Sequence, residues 1–246
     1  MAKLETVFGL HAIQAILKSA PHRINEILVL QGRQDQRLQK VLHAAEREDI
    51  KTRQASRKEL DKLADGNHQG VVAFAFPGEL HDENFLFKLL SGLTEPPFLL
   101  VLDGVTDPHN LGACIRTADA AGVHAVIAPK DNSASLTAVA KKVACGAAEI
   151  LPYIPVTNLA RTLKKLQDAG VWVIGTAGEA EQSAYDADLK GPMALVMGAE
   201  GDGMRRLTRE TCDSLINLPM AGEVSSLNVS VATGICLFEA VRQRHS

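Results

Sequence analysis

Two loops rich in glycine and serine follow apolar, strand-like runs in the second half of the chain. The first run and its loop read Leu195-Val-Met-Gly-Ala-Glu-Gly-Asp-Gly-Met204, and the second read Leu218-Pro-Met-Ala-Gly-Glu-Val-Ser-Ser-Leu-Asn-Val-Ser230. Open α/β sheets bind ligands beyond the carboxyl ends of their strands, where such loops lie. The backbone of the second loop can surround a flat polar ring, with apolar walls from Leu218, Met220 and Leu227. The two loops therefore predict a small-molecule site.

The polar residues of these loops each have two interpretations. Glu200 or Asp202 precedes a predicted helix, so either carboxylate could complement the helix dipole instead of doing chemistry. Ser225 or Asn228 could cap the last helix. Spacing alone leaves the structural and the catalytic roles open.

A third polar segment, Asn110-Leu-Gly-Ala-Cys-Ile-Arg116, opens an earlier helix. Asn110 follows Asp107-Pro-His and could be the N-cap of that helix, which does not exclude a second role for its amide. Arg116 places a charge in a helix otherwise built from small residues. An ion pair with Asp119, three residues further on, is its structural interpretation, and binding of an anion is its functional one.

Several common chemistries have no motif in this sequence. A Gly-x-Ser-x-Gly elbow, a His-Glu-x-x-His helix, a phosphate-binding Gly-x-x-x-x-Gly-Lys-Ser/Thr loop and the dinucleotide fingerprint are all missing. The four cysteines are widely spaced with no Cys-x-x-Cys pair, which predicts reduced thiols and no metal site. No apolar run approaches the roughly 18 residues that span a bilayer, and the first residues show no export signal. We therefore expect a cytoplasmic protein with no membrane segment.

The charge of the chain is unevenly distributed. The net charge is −3, but residues 1–77 hold 12 Lys/Arg against 9 Asp/Glu, whereas residues 78–246 hold 14 against 20. The basic excess at the front is compatible with a solvated helix face or with an RNA-binding face. Because only 4% of residues are aromatic, any RNA contact should depend on phosphates and shape more than on base stacking.

Hydrophobic periodicity predicts two α/β domains. Residues 1–77 alternate helices at 11–19, 35–47 and 57–64 with strands at 24–30 and 68–77, and residues 78–97 form a linker that holds one short helix at 85–90. From residue 98 to 246, continuous apolar runs predict strands covered on both faces, at 98–102, 124–128, 171–174, 194–197 and 215–218. Helical patterns alternate with them at 111–121, 137–148, 158–169, 204–212 and 228–244, and this alternation predicts a parallel sheet.

Three motifs in one order give the chain a family resemblance. Asn-Leu-Gly-x-x-x-Arg is followed by Met-Gly-x-Glu-Gly and then by Leu-Pro-Met with Ser-Leu-Asn-Val-Ser. This combination resembles the motifs of the SpoU/TrmH branch of the SPOUT methyltransferases over residues 98–244. The front domain, with Gly9-Leu-His11 and His68-Gln-Gly70, is similar to the RNA substrate-binding domain of the same enzymes.

The resemblance implies a fold and an activity. The fold is a parallel-sheet SPOUT domain with a deep trefoil knot, preceded by a small α/β RNA-binding domain similar to small ribosomal proteins. The activity is methyl transfer from S-adenosylmethionine to the ribose 2′-hydroxyl of a guanosine in the peptidyl-transferase region of 23S rRNA. Methylation of a tRNA, or a non-catalytic role in RNA binding or ribosome assembly, are the alternatives.

The resemblance also implies roles for individual residues. Family members are homodimers, and the last helix, with an apolar face of Val231, Ile235, Phe238 and Val241, would contribute to the interface. The cofactor contacts of the family carry over to Gly198, Leu218 and Leu227, and its catalytic positions carry over to Asn110, Arg116, Glu200, Ser226 and Asn228.

Arg116 is given a particular task by this resemblance. A guanidinium has a pKa above about 12, which makes it a poor base and a good partner for an anion. We therefore expect Arg116 to bind the target phosphate or to stabilise the developing alkoxide, while Glu200 and Asn110 position the reacting groups.

Overall fold

The computed structural model describes residues 4–64 and 66–245, which divide into two compact units. The first unit extends to Glu79 and includes Cys145–Ile150, and the second comprises Leu80–Ala144 and the chain from Leu151 onward. Met1 and Ser246, the outer ends of the two predicted domains, lie outside the described residues.

The first unit is a four-stranded sheet with helices. Its strands are β1 (Glu5–Phe8), β2 (Ile24–Leu30), β3 (Thr52–Ala55) and β4 (Val71–Ala75), and its helices are α1 (Leu10–Ser19), α2 (Gln36–Arg47) and α3 (Arg57–Leu63). The order is β1-β4-β2-β3, with β4 antiparallel to both neighbours and β2 parallel to β3. Fully buried Ile13, Ile16, Ile27 and Leu38 form part of its core. Periodicity missed β1 and β3 because each is a four-residue edge strand, too short to give a clear pattern.

The two motifs of the front domain lie together in this unit. The side-chain Oε1 of Gln69 accepts a hydrogen bond from the backbone N–H of Leu10, at 3.1 Å, where α1 begins. The N–H of Gly9 donates to the carbonyl of Val71 at 3.2 Å. Gly9 has a φ of +93°, which a residue without a side chain adopts at no steric cost. The motif residues therefore build the entry to α1.

The second unit is an entirely parallel seven-stranded sheet with helices between its strands. The strands are β5 (Phe98–Asp103), β6 (Ala125–Pro129), β7 (Tyr153–Val156), β8 (Trp172–Thr176), β9 (Gln182–Ser183), β10 (Met193–Gly198) and β11 (Ser214–Asn217). The helices are α4 (Glu83–Gly92), α5 (Pro108–Ala120), α6 (Ala138–Val143), α7 (Leu159–Asp168), α8 (Arg206–Thr211) and α9 (Val229–Arg244). The predicted parallel α/β fold is confirmed, and the five predicted strands are present. The short strands β7 and β9 were missed.

The strand order brings the three motif loops to one edge of this sheet. The order is β7-β6-β5-β10-β8-β11-β9, so β10 lies between β5 and β8. The last residue of β5, Asp103, is in register with the last residue of β10, Gly198. Because the strands are parallel, the loops after β5, β10 and β11 leave from the same edge. The trefoil knot stays a prediction.

The segment predicted as a linker is largely part of the second unit. Its helix, α4, extends the predicted residues 85–90 in both directions, and Asp82 caps it by accepting from the N–H of Phe85 at 2.9 Å. Leu86 is fully buried in the same core cluster as Leu99 and Val101 of β5. Residues 83–92 of this segment therefore pack in the second unit, and the bounds of the linker stay a prediction. Within residues 4–64 and 66–245, no helix is long and apolar enough to cross a membrane.

Candidate active site

Three polar side chains from the three motifs meet at one carboxylate oxygen. Oε1 of Glu200 accepts hydrogen bonds from Nδ2 of Asn228 at 2.5 Å, from the backbone N–H of Val229 at 3.1 Å and from Nδ2 of Asn110 at 3.2 Å. Asn228 Nδ2 also donates to Asn110 Oδ1 at 2.9 Å. We call the side chains of Asn110, Glu200 and Asn228 the carboxamide–carboxylate cluster. The structure thus joins three residues that are far apart in the sequence.

Asn228 caps the last helix and also belongs to the carboxamide–carboxylate cluster. It is the N-cap of α9, since its Oδ1 accepts from the backbone N–H of Ser230 at 3.0 Å and from the hydroxyl of Ser230 at 2.6 Å. Capping fixes the oxygen toward the helix and so turns both N–H groups of Nδ2 toward Asn110 and Glu200. All hydrogen-bonding positions of this amide are then used inside the protein.

Asn110 does not cap α5, and that structural interpretation is wrong. Asp107 is the N-cap and accepts from the N–H of His109 at 2.8 Å, while Pro108 occupies the first turn. Proline suits this position because its missing N–H would have no partner in the helix. Asn110 therefore lies inside the first turn, and its side chain is directed to Glu200.

A tight loop after β10 presents Glu200. The backbones of Ala199 and Gly203 exchange two hydrogen bonds of 3.0 Å, which closes the loop. A Cβ at Gly198 would lie 2.3 Å from backbone atoms of Gly203 and Met204, so this position requires glycine. Neither Glu200 nor Asp202 lies in the first turn of α8. The interpretation that one of these carboxylates stabilises the dipole of that helix is therefore wrong.

Beside this cluster is a cleft of about 910 Å³, large enough for a nucleoside-sized ligand. The three predicted cofactor positions, Gly198, Leu218 and Leu227, all line it, as do Ser226 and Glu200. Ser226 is exposed there and lies outside the carboxamide–carboxylate cluster. The structure thus brings the second and third motif loops around one cavity.

Sequence reasoning missed some of the cleft lining, because these residues belong to no recognised motif. They follow or end β8 and β11: Thr176, Ala177, Gly178, Glu179, Ile216 and Asn217. The rule that ligands lie at the carboxyl ends of parallel strands could have found them once β8 and β11 were predicted.

The cleft carries more negative than positive charge. The carboxylates of Glu179, Glu181, Glu200 and Asp202 line it, with Arg209 as a cation that is ion-paired with Glu179. A surface with this excess attracts a cationic ligand. In the part of the chain that the structure describes, no group of three or more His, Cys, Asp or Glu residues is placed to hold a metal ion.

Arg116 lies further along α5 than the carboxamide–carboxylate cluster. It is exposed and follows Asn110 by six residues.

Between Asn110 and Arg116, Cys114 of α5 contacts Thr233 of α9, with 3.6 Å between Sγ and Oγ1. Burial raises the pKa of the Cys114 thiol to about 11, so this thiol is protonated and packs as a small apolar group near neutral pH.

Comparisons with known proteins match both units of the chain. The profile of the SpoU rRNA Methylase family matches residues 97–238, and the profile described as RNA 2′-O ribose methyltransferase substrate binding matches residues 6–80.

Individual relatives are similar over nearly the whole chain. The 23S rRNA (guanosine-2′-O-)-methyltransferase RlmB of Escherichia coli (strain K12) is 61% identical over 241 residues, which are 98% of this chain and 99% of that protein. The protein of the same name from Pseudomonas putida is 60% identical over 244 residues, or 99% and 98% of the two chains. A solved AdoMet-bound rRNA methyltransferase from Sinorhizobium meliloti is 25% identical with a TM-score of 0.73, covering 98% of this chain and 87% of its own.

Proposed function

The chain belongs to the SpoU rRNA methylase family, and from this membership we propose that it methylates the ribose 2′-hydroxyl of a guanosine in 23S rRNA, using S-adenosylmethionine. The observation that carries the proposal is the meeting of Asn110, Glu200 and Asn228 beside the cleft. A protein that only binds RNA has no need of an organised polar cluster next to a cavity lined by Gly198 and Leu218. The cluster therefore favours an enzyme over a non-catalytic assembly factor.

The cleft fits S-adenosylmethionine in shape and in charge. Leu218, Met220 and Leu227 offer apolar walls for an adenine ring, and the backbone around Gly198 offers polar groups for its edge. The acidic excess of the cleft suits the positive sulfur of this cofactor. When bound, the cofactor supplies a methyl group on a sulfonium, which an oxygen nucleophile can attack without a metal.

The hydrogen bonds of the cluster assign different tasks to its members. Asn228 uses all its donor and acceptor positions within the protein, so it orients its neighbours and does not contact the substrate. Oε2 of Glu200 and the second N–H of Asn110 have no partner among the described residues. These two groups can accept from and donate to the ribose, and so orient the 2′-hydroxyl for in-line attack.

Arg116 and Ser226 complete the proposed machinery. Arg116 is exposed on the helix that begins beside the cluster, where its guanidinium can bind an RNA phosphate or the alkoxide that develops as the hydroxyl loses its proton. Ser226 lines the cleft and can donate or accept a hydrogen bond there. Their roles rest on the family positions that these residues occupy.

We also propose that the protein is a homodimer that works in the cytoplasm. Val231 and Phe238 on α9 are about half exposed, and with Ile235 and Val241 they form the apolar face predicted from the sequence. A face of this kind suits a second copy of the chain. The four cysteines, all within the described residues, are thiols, which is compatible with a reducing compartment.

Ribosomal RNA is favoured over tRNA by the extent of the likeness. The relatives that match both units at about 60% identity are named for 23S rRNA. The basic first unit would supply phosphate contacts, which predicts binding that weakens as salt is raised.

One experiment tests the proposal directly. The purified protein is incubated with S-adenosylmethionine carrying a deuterated methyl group and with unmodified 23S rRNA or total tRNA, and the modified nucleotides are mapped by mass spectrometry. We expect label on the ribose of a single guanosine in 23S rRNA, with a chelator present. Label on tRNA alone would replace the proposed substrate, and label on neither RNA would contradict the enzymatic role.

A further inference from the structure

A buried carboxylate ends β5, the strand that leads through residues 104–107 to the first turn of α5, where Asn110 lies. Asp103 is the last residue of β5 and is 1% exposed. Its Oδ2 accepts a hydrogen bond from the backbone N–H of Arg205 at 2.8 Å, and its Oδ1 lies 3.5 Å from Nε of the same arginine. Among the described residues, Oδ1 has no hydrogen-bond partner, so its contact with Nε is an ion-pair contact only. The charge of Asp103 is therefore balanced by Arg205.

Arg205 also binds a third loop. Its Nη2 donates to the backbone carbonyls of Asp131 and Asn132, at 3.3 Å each. These two residues follow β6, and Asp103 ends β5. The guanidinium of Arg205, a residue that follows β10, therefore contacts the chain at the ends of two other strands. A planar guanidinium with several fixed donors can bridge such groups, whereas an ammonium cannot reproduce that geometry.

The positions of these residues in the chain link them to the proposed chemistry. Asp103 precedes Asn110 by seven residues, and Arg205 follows Glu200 by five. The Asp103–Arg205 pair thus ties the base of the loop that leads to Asn110 to the far end of the loop that carries Glu200. The hydrogen bond from Asn110 to Glu200, at 3.2 Å, is a second connection between the same two segments of the chain.

We infer that Asp103 and Arg205 are positioning residues. They hold residues 104–110, which lead to Asn110, and residues 199–205, which carry Glu200, in the relative position needed for methyl transfer. The inference rests on the proposed function, since it assigns these residues to that reaction. They act through Asn110 and Glu200 and need not touch the RNA or the cofactor. Asp103 is buried, whereas the side chain of Arg205 is 44% exposed. Burial of the carboxylate carries a desolvation cost that this partly solvated pair only partly offsets, and a role in fixing geometry accounts better for the presence of the pair.

The test compares Arg205→Gln and Arg205→Lys with Arg206→Gln. Arg206 is the matched control, because it is the next residue, is exposed and pairs with Glu210 within α8. Four quantities are measured on the full chain: the single-turnover rate at saturating RNA and cofactor, the KM for RNA from turnover at varied RNA, the cofactor Kd by calorimetry, and amide hydrogen exchange of residues 199–205. Exchange does not depend on activity, so it still tests the pair if the wild-type chain fails to methylate rRNA.

For Arg205→Gln we expect a single-turnover rate about 30-fold below wild type, because displacing a reacting group by about 1 Å can cost about 100-fold. The cofactor Kd and the KM for RNA should change by less than about 3-fold. Exchange in residues 199–205 should become at least about 10-fold faster, since the loop keeps the backbone bond to Asp103 but loses the guanidinium contacts to Asp103, Asp131 and Asn132. Arg205→Lys keeps a positive charge beside Asp103, so it should fold as the wild type does while still losing most of the rate.

Three results would overturn the inference. The first is an Arg205→Gln rate equal to that of Arg206→Gln. The second is a raised KM for RNA with an unchanged rate, which would mean that Arg205 binds RNA directly. The third is full activity of Arg205→Lys with native exchange in residues 199–205, which would reduce the role of the arginine to charge compensation.

Discussion

Replacing Glu200 tests whether the carboxamide–carboxylate cluster is the centre of the reaction. Glu200→Gln keeps the shape and one acceptor oxygen, whereas Glu200→Ala removes the acceptor. Three N–H groups, from Asn110, Asn228 and Val229, point at the oxygen that these substitutions alter or delete.

The expected losses follow from the three hydrogen bonds. A net hydrogen bond contributes about 1 kcal/mol, and one to an ionised acceptor about twice that in favourable geometry. Glu200 is exposed, so we use values at the low end of this range. Loss of the negative charge in Glu200→Gln weakens each of the three bonds by about 0.5 kcal/mol, and loss of the acceptor in Glu200→Ala removes about 1 kcal/mol per bond. Glu200→Gln should then lower the rate by about 10-fold (about 1.5 kcal/mol), and Glu200→Ala by about 100-fold (about 3 kcal/mol).

Single-turnover methylation at saturating cofactor and RNA is the appropriate assay, because effects on binding then drop out of the measured rate. Thermal unfolding is measured beside it: loss of the same bonds, about 3 kcal/mol for Glu200→Ala, can lower the Tm of a chain of this size by at most about 6–12 °C, so both variants should be folded at the assay temperature. Glu223→Gln is the control, because it makes the same chemical change at an exposed residue of the third motif loop that does not line the cleft. A Glu200→Ala enzyme within about 3-fold of wild type would refute the reasoning, as would equal losses in Glu200→Gln and Glu223→Gln.

Three further predictions concern other residues. Arg116→Ala should lower single-turnover methylation by about 100-fold while calorimetry finds unchanged cofactor affinity, because a charge aimed at the transition state is lost, and Arg116→Lys should restore little. Gly198→Ala should lower cofactor affinity and the free energy of unfolding by about 1–3 kcal/mol, because its Cβ would lie 2.3 Å from backbone; Gly191→Ala, in open space, should change neither. The Cys114 thiol should be alkylated by iodoacetamide at pH 8 at least about 100-fold more slowly in the folded chain than in urea, because burial raises its pKa from 9.0 to about 11 and so lowers the thiolate fraction.

The pH dependence of Cys114 has a definite sign. Its folded-state pKa lies above the unfolded value, so the stability that it contributes is fully present below about pH 9 and is lost between about pH 9 and pH 11. Peptide mapping of alkylation follows the thiol, and urea unfolding at several pH values follows the stability. Equal labelling of Cys114 in folded and unfolded protein at pH 8 would contradict this prediction.

A fully active Arg116→Ala enzyme would contradict the prediction for Arg116. A Gly198→Ala variant with the same cofactor affinity and free energy of unfolding as Gly191→Ala would contradict the prediction for Gly198.

Sequence periodicity determined most of the helices and the buried strands. Runs such as 98–102 and 194–197 are apolar throughout, because strands in a parallel sheet are covered on both faces, and both became central strands. It failed where a pattern was too short or too exposed. Thr52–Ala55 is a four-residue strand at the edge of the first sheet, and Gln182–Ser183 has only two residues at the edge of the second.

The sequence motifs also indicated residues that line the cleft. Gly198 ends β10, and Leu218 and Leu227 lie in a loop whose composition is unusual for a short connection; all three border the cavity. Capping was predicted less well. Asn110 and Asp107 are both good N-cap residues, and only the position of Pro108 in the folded helix gives the cap to Asp107.

By itself the sequence determined which segments form strands and helices, which family the chain resembles and which residue types are available for chemistry, because these properties are encoded locally. Only the tertiary structure decided that Asn110, Glu200 and Asn228 share hydrogen bonds across separations of 28 to 118 residues. The physical reason is the strand order: β10 lies between β5 and β8, and no periodicity within a segment specifies its neighbours in a sheet. The same order brings Arg205 to Asp103, a pair that neither motif nor spacing indicates.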